Sequence, residues 1–169
     1  MEIYDVLHAD HRQILETLEE LEEATGEQRS KLLALVADEL TLHTVAEDEV
    51  LYDRLATNPH MRALILEAKQ EHHVVGVLLK ELLALDADDE RFFGKIKVLT
   101  EVLESHIEEE EEDLFDEARR LLGPAGEGLA AEFLSAKERY VDVTPLDRIA
   151  MSDKKNEQKQ PTTSPEATV

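Results

Sequence analysis

The sequence contains no cysteine among its 169 residues. It therefore cannot form a disulfide framework, a thiolate metal site or a cysteine nucleophile. Aromatic residues make up only 4% of the chain, whereas leucine, alanine and glutamate are abundant, and this composition is typical of a helical protein. A glycine-rich nucleotide-binding loop and a Gly-x-Ser-x-Gly motif are also missing, so neither common catalytic motif indicates a function.

Positive charge is scarce, because 18 lysines and arginines stand against 40 acidic residues and give a formal net charge of −22. Such a surface repels phosphate backbones and anionic lipids, so we expect neither nucleic acid nor a membrane surface as a partner. No apolar run approaches the roughly 18 residues of a membrane span. The first residues lack the basic and apolar regions of a signal peptide, and we expect a cytoplasmic protein.

Apolar residues recur at steps of three and four along most of the chain, which predicts amphipathic helices. Four long helices are predicted at about residues 2–24, 27–56, 59–85 and 90–122. Short connections between them favour an all-α, up-down-up-down four-helix bundle, with a shorter extra helix at about 128–141. The apolar pattern is lost near residue 144, so we expect a bundle domain over residues 1–143 and a disordered tail over 144–169.

One histidine interrupts the apolar stripe of each long helix, and two of these histidines are followed four residues later by a glutamate on the same face. The six residues are His11, His43, Glu47, His72, His106 and Glu110. Buried without partners, such groups would cost several kcal/mol each. A mixed imidazole and carboxylate set favours iron or manganese over copper, and six side chains suit two ions bridged by carboxylates. We therefore predict a two-metal centre with Glu47 and Glu110 as its bridges.

The other polar candidates have simpler interpretations. We expect His60 and His8 at the surface, with a supporting contact to the metal site as the alternative for His8. We expect His73 on the flank of its helix, from where it could move into the site. In the acidic run 108–112 only Glu110 is in phase with the apolar stripe. Tyr52, like Tyr4, is expected to pack in the core, with a hydrogen bond to the site as the alternative.

These residues occur in the order H, HxxxE, H, HxxxE, within Asp10-His11-Arg12, His43-Thr-Val-Ala-Glu47, Glu71-His72-His73 and His106-Ile-Glu-Glu-Glu110. In this order the chain resembles the hemerythrin-like family, or HHE cation-binding domain, over about residues 3–120. The resemblance implies a four-helix bundle that holds two non-haem iron ions with an oxo or hydroxo bridge. It also implies that the same six residues are the metal ligands.

One departure from the family pattern bears on function. Oxygen-carrying hemerythrins place a second histidine one turn from the one in the third helix, whereas Ala68 and Gly76 occupy these positions here. One iron would then be a ligand short, to be completed by water, His73 or another carboxylate, which favours peroxide or redox chemistry over reversible oxygen carriage. The ferritin-like di-iron class is disfavoured because the chain has no Glu-x-x-His motif.

Three functions remain open at the level of sequence. The first is a di-iron protein that binds oxygen or peroxide, for oxygen or redox sensing or for iron handling. The second is a catalase-like enzyme that decomposes peroxide at the same centre. The third is a metal-free helical interaction domain whose histidines are incidental. The sequence does not decide whether the protein is an enzyme, and we assign no separate catalytic residue.

Overall fold

Eight α-helices account for most of residues 1–158, the part of the chain that the computed structural model describes. The helices are α1 (Ile3–Glu23), α2 (Gly26–Glu47), α3 (Asp53–Leu55), α4 (Arg62–Leu83), α5 (Arg91–Glu109), α6 (Phe115–Leu122), α7 (Leu129–Tyr140) and α8 (Pro145–Gln158). This range contains no strand, which confirms the predicted all-helical class. Within it, no helix has both the length and the apolar character needed to cross a membrane.

Two of the long predicted helices contain a π-helical turn. The segment π1 (Asp48–Tyr52) joins α2 to α3, and π2 (Glu110–Leu114) joins α5 to α6. A π turn is a single-turn widening of an α-helix that occurs frequently at functional sites. In both cases the turn begins where a His-x-x-x-Glu motif ends.

The core consists of two apolar clusters, one on each side of a layer of buried polar side chains. On α1, for example, Leu7 belongs to the first cluster and Ile14 to the second, and the buried His11 lies between them. α2 and α4 also contribute to both clusters, as does α5 together with its continuation through π2. Fully burying a leucine such as Leu7 stabilises the fold by roughly 1.5–3 kcal/mol relative to exposure.

The two C-terminal helices cover grooves between the long ones. α7 packs against α1, α2 and π1, which agrees with the predicted extra helix, and α8 packs against α2 and α4. The sequence predicted disorder from residue 144 onward, but residues 145–158 form a helix. The end of the expected tail, residues 159–169, lies outside the described residues.

Two contacts explain why α8 is ordered. The guanidinium of Arg148 is buried, and it donates to the carboxylate of Asp38 at 2.7 Å and to the hydroxyl of Thr41 at 2.8 Å. Ile149 joins the second apolar cluster and lies against Gly76, where a Cβ atom would stand only 2.8 Å from the isoleucine side chain. Glycine at position 76 therefore allows α8 to approach α4 closely.

Candidate metal centre

Four imidazole rings meet in two pairs between the apolar clusters. The Nε2 atoms of His11 and His43 lie 3.2 Å apart, and those of His72 and His106 are separated by the same distance. All four side chains are buried. Each pair joins two neighbouring helices, α1 with α2 and α4 with α5.

Two buried carboxylates lie between the histidine pairs. Glu47 Oε2 is 3.4 Å from His43 Nε2 and 3.6 Å from His72 Nε2. Glu110 Oε2 is 3.4 Å from His11 Nε2 and 3.9 Å from His106 Nε2. Each carboxylate therefore contacts one histidine of each pair. We call these six side chains the central cluster, and the structure brings together all six that the sequence singled out.

Three of the four carboxylate oxygens of the central cluster lack hydrogen-bond donors. Both oxygens of Glu47 and Oε2 of Glu110 are buried without a donor. A buried acceptor left in this state costs roughly 1–3 kcal/mol, and more when it is charged. A cation would satisfy these oxygens and the Nε2 lone pairs together. Two groups of donor atoms, each within 4.8 Å, could hold an ion, and they share Glu47: one with His11 and His43, the other with His72 and His106.

A ring of four further carboxylates surrounds the central cluster. Each of them accepts a hydrogen bond from the Nδ1 atom of a histidine on a neighbouring helix. The four pairs are His43 with Asp10 at 3.3 Å, His72 with Asp48 at 3.3 Å, His106 with Glu71 at 2.7 Å and His11 with Glu111 at 2.7 Å. When Nδ1 donates outward, the Nε2 lone pair faces the centre, as a metal ligand requires.

The sequence did not identify these four carboxylates as part of the site. The signal that could have found them is adjacency, because each stands next in sequence to a member of the central cluster. In the acidic run 108–112, Glu111 was expected to point away from the site or to lie at its rim, and it contacts His11 and also His8, at 2.8 Å. The His8 side chain is 41% exposed. His73 is 46% exposed and pairs with Asp153 at 2.8 Å, so it does not reach the central cluster.

An aromatic ring packs on one histidine of each pair. Tyr52 stacks on His72 with a centroid distance of 5.3 Å, and its hydroxyl donates to Glu110 Oε1 at 2.6 Å. Phe115 stacks on His11 with a centroid distance of 6.2 Å and has no hydroxyl to donate. The two rings follow Glu47 and Glu110 by the same five positions. Of these two rings, only Tyr52 thus donates a hydrogen bond to a carboxylate of the central cluster.

The protonation of the cluster is uneven in the absence of a cation. Burial, reinforced by the charge on His43, lowers the pKa of His11 to about 4. Burial also opposes charge on His43, but the carboxylates of Glu47 and Asp10 overcome it and raise the pKa of His43 to about 10. Against the effect of burial, His43 in turn lowers the pKa of Glu47 to about 2. Burial and the nearby Glu47 charge raise the pKa of Glu110.

The sequence model of one protein family, described as the Hemerythrin HHE cation binding domain, matches residues 2–118. The chain belongs to this family. Cation binding by this family agrees with the histidine and glutamate groups of the central cluster, which could hold metal. The role of each individual residue as a ligand stays a prediction.

One curated relative resembles most of the chain. It is a DNA nickase from Nostoc sp. (strain PCC 7120 / SAG 25.82 / UTEX 2576), 28% identical over 141 residues. The aligned region covers 82% of this chain and 40% of the relative, so the chain spans less than half the length of that protein. No solved structure gives a significant match.

Proposed function

We propose that the central cluster binds two non-haem iron ions and that this centre takes oxygen or peroxide. The observation that carries the proposal is the set of three buried carboxylate oxygens without donors, held between two histidine pairs. In this proposal one histidine pair would hold each ion, and Glu47 and Glu110 would contribute carboxylate ligands to both. Iron bound there would supply a redox couple and coordination positions open to a small oxygen species.

The surrounding residues hold this arrangement in place. The four carboxylates around the central cluster, which we call the outer carboxylates, fix the imidazoles with Nε2 inward, and the hydroxyl of Tyr52 holds one oxygen of Glu110. They are Asp10, Asp48, Glu71 and Glu111. The apolar clusters on both sides exclude bulk water from the charged groups. In this proposal the long helices run up-down-up-down, which the alternating order of the two clusters along α1, α2 and α4 supports.

A second candidate function is peroxide decomposition, and a specific feature of α4 favours it. Oxygen-carrying relatives would need a further histidine one turn from His72, but Ala68 and Gly76 stand there, and Gly76 lies against Ile149 of α8. His73 is tied to Asp153 instead. With fewer protein ligands, exchangeable positions favour turnover of peroxide over tight reversible binding of oxygen.

We propose no action on DNA, although the relative is named a nickase. That protein is more than twice as long as its match to this chain, so its activity can reside outside the matched region. The net charge of −22 opposes contact with a phosphate backbone. The proposed small-molecule partner, oxygen or peroxide, is uncharged and unaffected by this repulsion.

Metal analysis and an optical spectrum of the purified protein test the proposal. We expect two iron ions per chain and near-ultraviolet absorption from a bridged ferric pair, whereas zinc would give no such band. Oxygen evolution on addition of peroxide, followed with an oxygen electrode, supports the enzyme candidate, and stable oxygen binding without evolution supports the binding candidate. If the protein takes up no metal under reducing, iron-replete conditions, the proposed metal centre is refuted, and a metal-free interaction domain is the function that remains.

A further inference from the structure

A narrow crevice leads from the surface to the central cluster between α4 and the junction of α5 with π2. Its cavity has a volume of about 50 Å³, which is room for more than one water-sized species. Four carboxylates line it, and its inner end is formed by His106 and Glu110. The four are Glu67, Glu71, Glu109 and Asp113.

The crevice keeps its negative charge. Glu67, Glu109 and Asp113 are exposed, and within the described part of the chain no lysine or arginine pairs with them. The carboxylate of Asp10, on another side of the centre, is by contrast neutralised by Lys137. Three carboxylates without a cationic partner around one narrow opening focus a negative potential on it.

A buried carboxylate oxygen at the inner end of the crevice has no hydrogen-bond donor. Glu110 is 2% exposed, lines the cavity and has a donor-free Oε2 atom. Helices cover two other sides of the centre: α7 packs against α1 and α2, and α8 packs against α2 and α4, where the cavity that reaches His72 is smaller, at about 20 Å³. On the α8 side, Ser152 donates to Asp48 at 2.8 Å and so adds a hydrogen bond across the groove.

We propose that this acidic crevice is the uptake route for divalent metal, in which Glu67, Glu109 and Asp113 attract the cation and pass it to Glu110. The inference rests on the proposed metal centre and adds the path by which it is filled. A cation gains from the focused charge, whereas oxygen and peroxide are neutral and gain nothing from it. Steering by a charged cleft typically raises association rates 10- to 1,000-fold and weakens as salt increases.

The test measures the rate at which the metal-free, full-length protein takes up Co²⁺ under argon, by stopped-flow absorbance of the cobalt–histidine bands. The crevice variant carries Glu67→Gln, Glu109→Gln and Asp113→Asn. We expect uptake to slow about tenfold at low ionic strength, to approach the wild-type rate at high salt, and to end at two Co²⁺ per chain.

The matched control removes the same charge elsewhere. The control variant changes three exposed carboxylates of α1, by Glu19→Gln, Glu20→Gln and Glu23→Gln. The nearest of them is eight residues, or about 12 Å along the helix, from His11. We expect wild-type uptake rates. A second crevice variant, Ala68→Leu, adds bulk at a buried lining position without changing charge, and should slow uptake equally at low and high salt.

Each outcome bears on one proposal or the other. Equal slowing by the crevice and control variants, or no slowing by either, would overturn the uptake route. A crevice variant that ends below two Co²⁺ per chain would also overturn it, because its carboxylates would then be ligands. If the wild-type protein itself never takes up two Co²⁺, the proposed metal centre fails.

Discussion

The strongest test of the central cluster replaces Glu47 with glutamine. Glu47 is fully buried, contacts both histidine pairs and has no donor for either oxygen. Two unsatisfied oxygens cost the metal-free protein at most roughly 2–6 kcal/mol at 1–3 kcal/mol each. The ion pair with protonated His43 offsets part of this cost, and bound metal recovers the remainder. Glu47→Gln keeps the shape of the side chain but loses the charge that both ions would share in the proposed centre. We therefore expect fewer than two metal ions per chain and a loaded form that is hardly more stable than the metal-free form.

The assay compares the melting temperatures of metal-free and metal-loaded protein by circular dichroism, with metal content measured on the same samples. For a chain of this size, 1 kcal/mol corresponds to about 2–4 °C, so the metal-induced rise in melting temperature should shrink by on the order of 10 °C in Glu47→Gln. Glu108→Gln makes the same chemical change at an exposed position and should leave that rise intact. A Glu47→Gln protein with two bound ions and a wild-type rise would refute the bridging role.

Three further expectations follow from the same geometry. His106→Ala should lower bound iron below two per chain and destabilise the fold, since its partners stay buried and unpaired. Metal analysis and urea unfolding measure the two effects. The control His60→Ala, at an exposed turn, should change neither. Tyr52→Phe leaves a further oxygen of Glu110 without a donor, so urea unfolding should show a loss of roughly 1–3 kcal/mol in the metal-free protein; an unchanged midpoint would contradict this. Because the pKa of His43 is raised to about 10, metal binding at pH 7 should release at least one proton per chain, and calorimetry in buffers of different ionisation enthalpy measures this release. Metal affinity should also fall as the pH falls, because protons compete with the metal for the imidazoles and Glu110.

The central cluster was predictable because its residues keep the period of their helices. His11 lies in phase between Leu7 and Ile14, and the structure buries all three side chains. A polar residue in such a stripe must find a buried partner. The periodicity therefore predicted which side chains meet, although it could not give the distances between them.

The outer carboxylates escaped prediction for a geometric reason. A residue next to a buried one lies about 100° further round the helix, which from one sequence is indistinguishable from a solvent-facing position. In the assembled structure this direction faces the neighbouring helix, as Asp10 faces His43. The partner is supplied by tertiary packing, so no pattern within a single helix can reveal it.

The π turns and α8 were missed for different reasons. A π turn adds one residue without changing the residue types, and Glu110–Leu114 reads as ordinary helix in sequence. α8 is polar along most of its length, and its contacts depend on how Arg148 fits against α2 and how Ile149 fits against Gly76. These are contacts between segments far apart in the chain, so local propensity predicted disorder instead.

The central cluster has two similar halves, one from α1 and α2 and the other from α4 and α5, and they differ in one hydroxyl group. Each half supplies a histidine, a His-x-x-x-Glu motif running into a π turn, and an aromatic ring five residues after the glutamate. The ring is Tyr52 in one half and Phe115 in the other, so one oxygen of Glu110 is committed to a hydroxyl while both oxygens of Glu47 remain free. A carboxylate with two free oxygens can change the way it bridges two cations, and one with a single free oxygen is restrained. In the proposed metal centre Glu47 would therefore be the more adaptable ligand of the pair, although the two motifs are closely similar in sequence.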